Sequence, residues 1–209
     1  NFVEPMLDYI VNDFEKSRLT FSDSSIGAMV VCDSTEQAKE MFRIFNEKYA
    51  QKTNQVEELL QAAEPKIEYR TKLKNINKVK TAALILSDYL SPQERKNLIE
   101  DFKEGEIDFL FVFNMLLTGF DAKRLKKLYI GRVIKRHNLL QTLTRVNRTY
   151  KNFKYGYVVD FADIRAEFDA TNKAYFEELQ AELGDEMEFY SNLFKSKEEI
   201  EKEIAEIKD

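Results

Sequence analysis

Gly27-Ala28-Met29-Val30-Val31-Cys32-Asp33-Ser34-Thr35-Glu36-Gln37-Ala38 decides the fold class. The run from Gly27 to Cys32 has the length and the apolar continuity of a strand buried on both faces. Ser34 and Gln37 then stand at capping-box spacing and open a helix carrying Ala38, Met41, Phe42 and Phe45 at helical intervals. A buried strand that runs directly into an amphipathic helix is the repeating unit of an α/β sheet.

The unit recurs downstream. Ala82 to Leu86 reads as a second buried strand, and Ser91-Pro92-Gln93-Glu94 combines an N-cap, a first-turn proline and a capping-box glutamate ahead of Leu98, Ile99 and Phe102. Gly105 is placed to end that helix. Ile107 to Phe113, Lys127 to Ile130 and Tyr155 to Phe161 supply three further strands, with Asn138 expected to cap the helix between the last two. Upstream, Met6, Ile10 and Phe14 form one helical stripe with Pro5 near its start. Between 51 and 80 the pattern is weaker: Val56, Leu59 and Leu60 suit a helix, and 66–80 is basic and broken. After Asp163, Ile164, Phe168, Ala174, Tyr175, Leu179 and Leu183 predict a helix ending at Gly184, and Lys197 to Lys208 a charged one. The expected organisation is a leading helix (1–20), an α/β domain with a parallel sheet covered on both faces (21–162), and a helical extension (163–209).

Composition narrows the function. With 44% hydrophobic residues, 16 Phe and 10 Tyr, the chain can fill a substantial core. A net charge of −5 argues against wholesale adhesion to nucleic acid, yet Lys123, Arg124, Lys126, Lys127, Arg132, Lys135, Arg136, Arg145 and Arg148 crowd together. The Lys123–Lys127 group is either a solvated edge or a surface for DNA. Cys32 is the only cysteine and His137 the only histidine, so no metal-ligand set or Ser-His-Asp triad is expected, and a reducing compartment is compatible. The chain shows neither a membrane-length apolar run nor a signal peptide, and the expectation is a cytoplasmic protein without membrane partners. It begins with Asn1 rather than Met, which suggests part of a longer protein. Glu64-Pro65-Lys66 matches the end of a nuclease motif but lacks the acidic residue that should precede it.

Two stretches carry chemistry. Gln141, Arg145 and Arg148 recur at i, i+4 and i+7, along one side of a helix whose other side holds Leu139, Leu143, Val146 and Tyr150. Two guanidinium forks and an amide suit phosphate oxygens, although the same face also suits surface ion pairs. Upstream, Thr118-Gly119-Phe120-Asp121-Ala122 offers a hydroxyl, a close backbone approach and a carboxylate able to accept from a ribose or an arginine. Both stretches are expected beyond the carboxyl ends of the strands, where ligands of open α/β sheets gather.

Leu116-Leu117-Thr118-Gly119-Phe120-Asp121-Ala122 and Leu140-Gln141-Thr142-Leu143-Thr144-Arg145-Val146-Asn147-Arg148 resemble motifs V and VI of superfamily 2 helicases and translocases, in the form used by the motor subunit of type I restriction enzymes. Ala28 to Ser34 resembles motif IV, and Tyr155 to Phe161 the strand after motif VI. Thr144 stands where superfamily 2 members in general carry glycine. The resemblance implies the second RecA-like domain of a motor whose ATP and Mg2+ are bound mainly by a first domain, since no Gly-x-x-x-x-Gly-Lys-Ser/Thr loop is present. It implies Arg148 as arginine finger and Arg145 as a second γ-phosphate ligand or the partner of Asp121. Gly119, Asp121 and Gln141 would serve nucleotide binding, and Ser34, Thr118, Lys123 and Arg124 contacts to DNA phosphates. The implied partners are double-stranded DNA, the first RecA-like and nuclease domains of the same subunit, and modification and specificity subunits. The implied activity is ATP-dependent translocation and DNA cleavage by the whole subunit, with an inactive isolated domain. Two other readings stay open: a different superfamily 2 helicase or remodeller, and a non-catalytic nucleic-acid-binding scaffold.

Overall fold

Each apolar run becomes a strand in the computed structural model, which describes residues 2–50, 79, 81–115 and 120–183. The strands are β1 (Gly27–Val31), β2 (Ala82–Ile85), β3 (Phe109–Val112), β4 (Leu125–Ile130) and β5 (Tyr157–Asp160). The α-helices described are α1 (Val3–Phe21), α2 (Thr35–Phe45), α3 (Pro92–Glu104), α4 (Arg136–Val146) and α5 (Arg165–Leu183). The five strands form one sheet in the order β2-β3-β1-β4-β5, every described pair parallel. This is the expected α/β, RecA-like arrangement of a parallel sheet flanked by helices.

Alternation along β1 sorts the core into two layers. Ala28 and Val30 pack with Met6, Ile10 and Phe14 of α1 and Met41 and Phe45 of α2. Met29 and Val31 face the opposite way, onto Phe102 of α3 and Leu139 and Val146 of α4. β1 is fully buried between β3 and β4, which explains why its sequence is continuously apolar. β5 at the sheet edge alternates between half-buried and exposed residues.

Local signals set several of the helix ends. The Ser34 hydroxyl accepts from the Gln37 N–H at 3.1 Å, while the Gln37 amide oxygen takes the Asp33 N–H at 2.7 Å, one residue short of a capping box. At α3 the box is complete, with Ser91 and Glu94 each accepting the other's backbone N–H. Gly105 ends that helix at φ +104°, where a side chain would be strained. Asn138 does not cap α4. The helix begins at Arg136 after an extended Lys135, and Asn138 lies in its first turn. Buried Ile134 anchors the approaching chain, so packing rather than a capping side chain sets this start.

Buried polar contacts bind α1 to the sheet. The Arg18 guanidinium forms an ion pair with Asp108 and donates to the Ile26 carbonyl at 2.9 Å. Lys127 pairs with Asp13 at 2.7 Å and donates to the Ser17 hydroxyl at 2.8 Å, and the Tyr129 hydroxyl donates to Asp13 at 2.8 Å. The leading helix is therefore part of the same core as the sheet. Asn1–Glu167 forms one compact unit and Phe168–Asp209 a second, within which residues to Leu183 are described as helix. The expected features within 51–78 and beyond Leu183, Glu64-Pro65-Lys66 and the 197–208 helix included, lie outside the described residues.

Candidate functional site

The basic segment 123–127 leads into β4, and most of its charge is directed inward. Arg124 is 3% exposed and donates to the carbonyls of Ser25 (2.8 Å), Phe102 (2.6 Å), Ile107 (2.6 Å) and Ile26 (3.4 Å). Its guanidinium also lies 4.9 Å from the centre of the Phe102 ring. The expected DNA contact by Arg124 is thus corrected: its donors are spent on carbonyls where α3 ends and β1 and β3 begin. Burial pulls its pKa down from the usual range, with the Asp108 charge opposing. A guanidinium stays charged even so. Lys126 and Lys127 are buried as well, and of the five residues in this segment Lys123 alone is an exposed cation.

Arg145 and Arg148 approach the loop that precedes β4. The Arg145 guanidinium donates to the Phe120 carbonyl, and Arg148 forms an ion pair with Asp121. Phe120 is buried against Phe102, with ring centres 5.9 Å apart, so the loop is anchored on both sides of its backbone. Of the two roles implied for Arg145, γ-phosphate ligand or partner of Asp121, the second is taken by Arg148. The assumed common helical side is also corrected, because α4 ends at Val146 and Asn147 leaves helical geometry. Arg148 stands two residues beyond the helix on a non-helical backbone. Leu139 and Val146 are buried as expected, Leu143 packs partly against the same layer, and Tyr150 joins the layer on the opposite face of the sheet.

The position of the pair in the sheet differs from expectation too. A helix joining parallel strands must run back against their direction, so its carboxyl end returns to the amino end of the sheet. Lys126, near the start of β4, donates to the carbonyls of Val146 (3.3 Å) and Arg148. A Cβ on Gly156, next to the start of β5, would overlap the Val146 carbonyl. Arg145, Arg148 and Asp121 therefore gather at the amino end of β4, not beyond the strand carboxyl ends. Ser34, by contrast, follows β1 at the carboxyl end, half-buried as the cap of α2, with its hydroxyl hydrogen still able to donate. Arg132 also lies at that end, donating to Asn114 at 2.7 Å with its guanidinium over the Phe113 ring.

Electrostatics at the arginine pair favours an anion. Burial lowers the Arg145 pKa first, the neighbouring Arg148 charge lowers it further, and Asp121 opposes both. Arg148 pairs with Asp121, and that carboxylate is 62% exposed against 41% for Arg148. An ion pair so open to water is weak and can be exchanged for a stronger anion. Gln141 lies half-buried on α4, its carbonyl accepting from the Thr144 hydroxyl at 3.0 Å. Thr118, Gly119 and the His137 side chain lie outside the described residues. Lys126 was missed as a site residue because a lysine in a basic run reads as surface.

A family model described as type I restriction enzyme subunit R domain 3 matches residues 24–163. The chain belongs to this family. Among curated relatives of the restriction subunit, the SauCOLORF180P endonuclease subunit of Staphylococcus aureus strain COL is 41% identical over 75 residues, 35% of this chain and 8% of its own length. The HindI endonuclease subunit of Haemophilus influenzae is 32% identical over 117 residues, 53% of this chain and 11% of its own. The chain thus spans about a tenth of these relatives. Among solved structures, the Mss116p DEAD-box helicase domain 2 bound to an RNA duplex aligns with 81% of this chain and 55% of its own at 15% identity and TM-score 0.49. Among the described residues of the restriction-subunit domain, no helix is long and apolar enough to cross a membrane.

Proposed function

We propose that this domain supplies the second half of a split ATPase site in a type I restriction motor, with Arg148 as the arginine finger. The observation that carries the reading is the placement of Arg148: it sits just past a helix anchored by buried Leu139 and Val146, and among the described residues only an exposed carboxylate holds its guanidinium. Such a group is positioned yet exchangeable, and a γ-phosphate presented by another domain would replace Asp121 as its anion. Arg145 acts differently from the simplest expectation. It holds the Phe120 carbonyl and so keeps Asp121 facing Arg148, while its positive charge adds to the local field. Gln141, and Gly119 outside the described residues, would serve nucleotide binding.

The guanidinium pair fits phosphate oxygens, and Mg2+ would arrive with ATP held mainly by the first motor domain. In phosphoryl transfer, a finger of this kind stabilises charge that develops on the transferred group. Ser34, Thr118 and Lys123 would contact the DNA backbone, contacts that position a duplex without reading its sequence. The proposed setting is the cytoplasmic enzyme, in which this domain works with the nuclease domain of its own subunit and with modification and specificity subunits. The intact subunit would translocate along double-stranded DNA and cleave it, and the isolated domain would not turn over ATP.

The test uses the intact subunit. Arg148→Ala should lower DNA-stimulated ATP turnover by roughly 10³-fold or more while leaving DNA binding in place. Near-normal turnover would overturn the finger assignment. Arg145→Ala should lower both turnover and unfolding midpoint, since it frees the loop at Phe120.

A further inference from the structure

Lys126 is a buried cation that no described carboxylate neutralises. It is 1% exposed, and its ammonium donates to two backbone carbonyls, those of Val146 and Arg148. Burying an ammonium away from an anion is costly, and burial accordingly pulls the Lys126 pKa below the ordinary lysine range. A methionine at this place would fill the same space without that penalty, so the charge calls for a reason beyond packing.

The strand is built to aim this side chain. Gly27 pairs with Leu125 and Ala28 with Lys127, so Lys126 is an extra residue in β4 opposite a continuous β1. Such a bulge interrupts the alternation of side chains, so that Leu125 and Lys126 lie on the same side of the sheet. Leu125 packs into the layer beneath α4, and Lys126 reaches the end of α4 on the same side, while Lys127 returns to α1 on the opposite side. Leu128 and Ile130 pack into that same layer, so the alternation of β4 itself carries Lys126 to the α4 side.

Its two acceptors differ in meaning. The Val146 carbonyl is the last of α4, where a cation complements the helix dipole. The Arg148 carbonyl lies beyond the helix, where the backbone is no longer held by helical hydrogen bonds. Gly156 packs against the Val146 carbonyl, where a Cβ would overlap, so the chain end is gripped by a side chain and by an adjacent backbone.

We infer that Lys126 is a positioning residue for Arg148, fixing through the Arg148 carbonyl the backbone from which its guanidinium is presented. The role rests on the reading of Arg148 as the arginine finger. At 1% exposure, Lys126 offers almost no surface to nucleotide or DNA. Loss of its grip lets the finger's backbone wander, and small misplacement of a catalytic group reduces turnover far more than it weakens binding.

In the intact subunit, Lys126→Met should lower kcat for DNA-stimulated ATP hydrolysis by roughly 10- to 100-fold, with KM for ATP and affinity for DNA within about twofold of the original. Lys126→Arg should recover kcat to within about threefold, because a guanidinium can reach the same carbonyls. Lys126→Gln, a shorter neutral donor, should fall between the two. In an Arg148→Ala background, Lys126→Met should cause no further loss, since the residues act as one unit. If Arg148→Ala alone turns over normally, the finger reading itself fails. If Arg148→Ala is inactive while Lys126→Met and Lys126→Gln keep the original kcat, the positioning role alone is overturned.

Discussion

Replacing Arg124 with alanine removes the donor that joins the end of α3 to the starts of β1 and β3. Of its four carbonyl acceptors, Phe102 keeps a hydrogen bond from the Gly105 N–H and Ile26 keeps one from Arg18. Ser25 and Ile107 lose the donor that the described hydrogen bonds give them. A buried polar group left unpaired costs about 1–3 kcal/mol, so two carbonyls set a loss of about 2–6 kcal/mol. Removing the guanidinium from the Phe102 ring adds to the loss, and no longer burying a charge offsets part of it. The net expectation is about 3 kcal/mol, a large share of the roughly 5–15 kcal/mol by which domains are stable. With no tryptophan in the chain, urea unfolding is followed by far-UV circular dichroism. For a urea slope of about 2–3 kcal/mol per molar, the midpoint should fall by roughly 1–1.5 M. A DNA-contact role makes the opposite prediction: an unchanged midpoint with weakened, salt-sensitive DNA binding. That result would refute the structural assignment of Arg124.

Two further outcomes follow from the buried polar groups. Asp108→Ala removes the carboxylate of a buried ion pair and should destabilise by about 3–5 kcal/mol, whereas Arg18→Met combined with Asp108→Ala should regain part of that loss in the same urea titration. Cys32 is fully buried, and burial pushes its thiol pKa up to about 12. Its native reaction with a disulfide reagent at pH 8 should be roughly 10³-fold slower than in denaturant, as expected if access requires unfolding. Because the folded pKa is the higher one, the thiol's contribution to stability is complete below about pH 9 and declines towards pH 12, as the unfolded chain ionises first. Rapid native labelling would contradict this burial.

Local chemistry made most elements readable. The Ser91-Pro92-Glu94 box and the Gly105 stop depend on a few adjacent residues, and both ends of α3 follow from them. The apolar runs became strands because a parallel sheet covered on both faces demands continuous burial. The end of α4 was not readable in this way. Its i, i+4, i+7 spacing assumes a helix continuing through Arg148, whereas Lys126 and Gly156 lie against its last turn from strands remote in sequence. For the same reason the sequence left the partner of Asp121 open. Asn138 carried a sound capping signal that lost to burial of Ile134 just before the helix.

By itself, the sequence determined the class of fold, the order of strands and helices, and a pair of arginines that would share a surface with the loop before β4. Those properties follow from period, capping and turn chemistry, which act over a few residues. Only the tertiary structure decided which cations are available to a ligand. Arg124, Lys126, Lys127 and Arg148 are equally basic along the chain, but three of them meet carbonyls or Asp13 in the interior and one meets an exposed carboxylate. The physical reason is that a charge's role depends on what surrounds it in space: desolvation and fixed acceptors make it part of the framework, and water with an exchangeable partner leaves it able to bind.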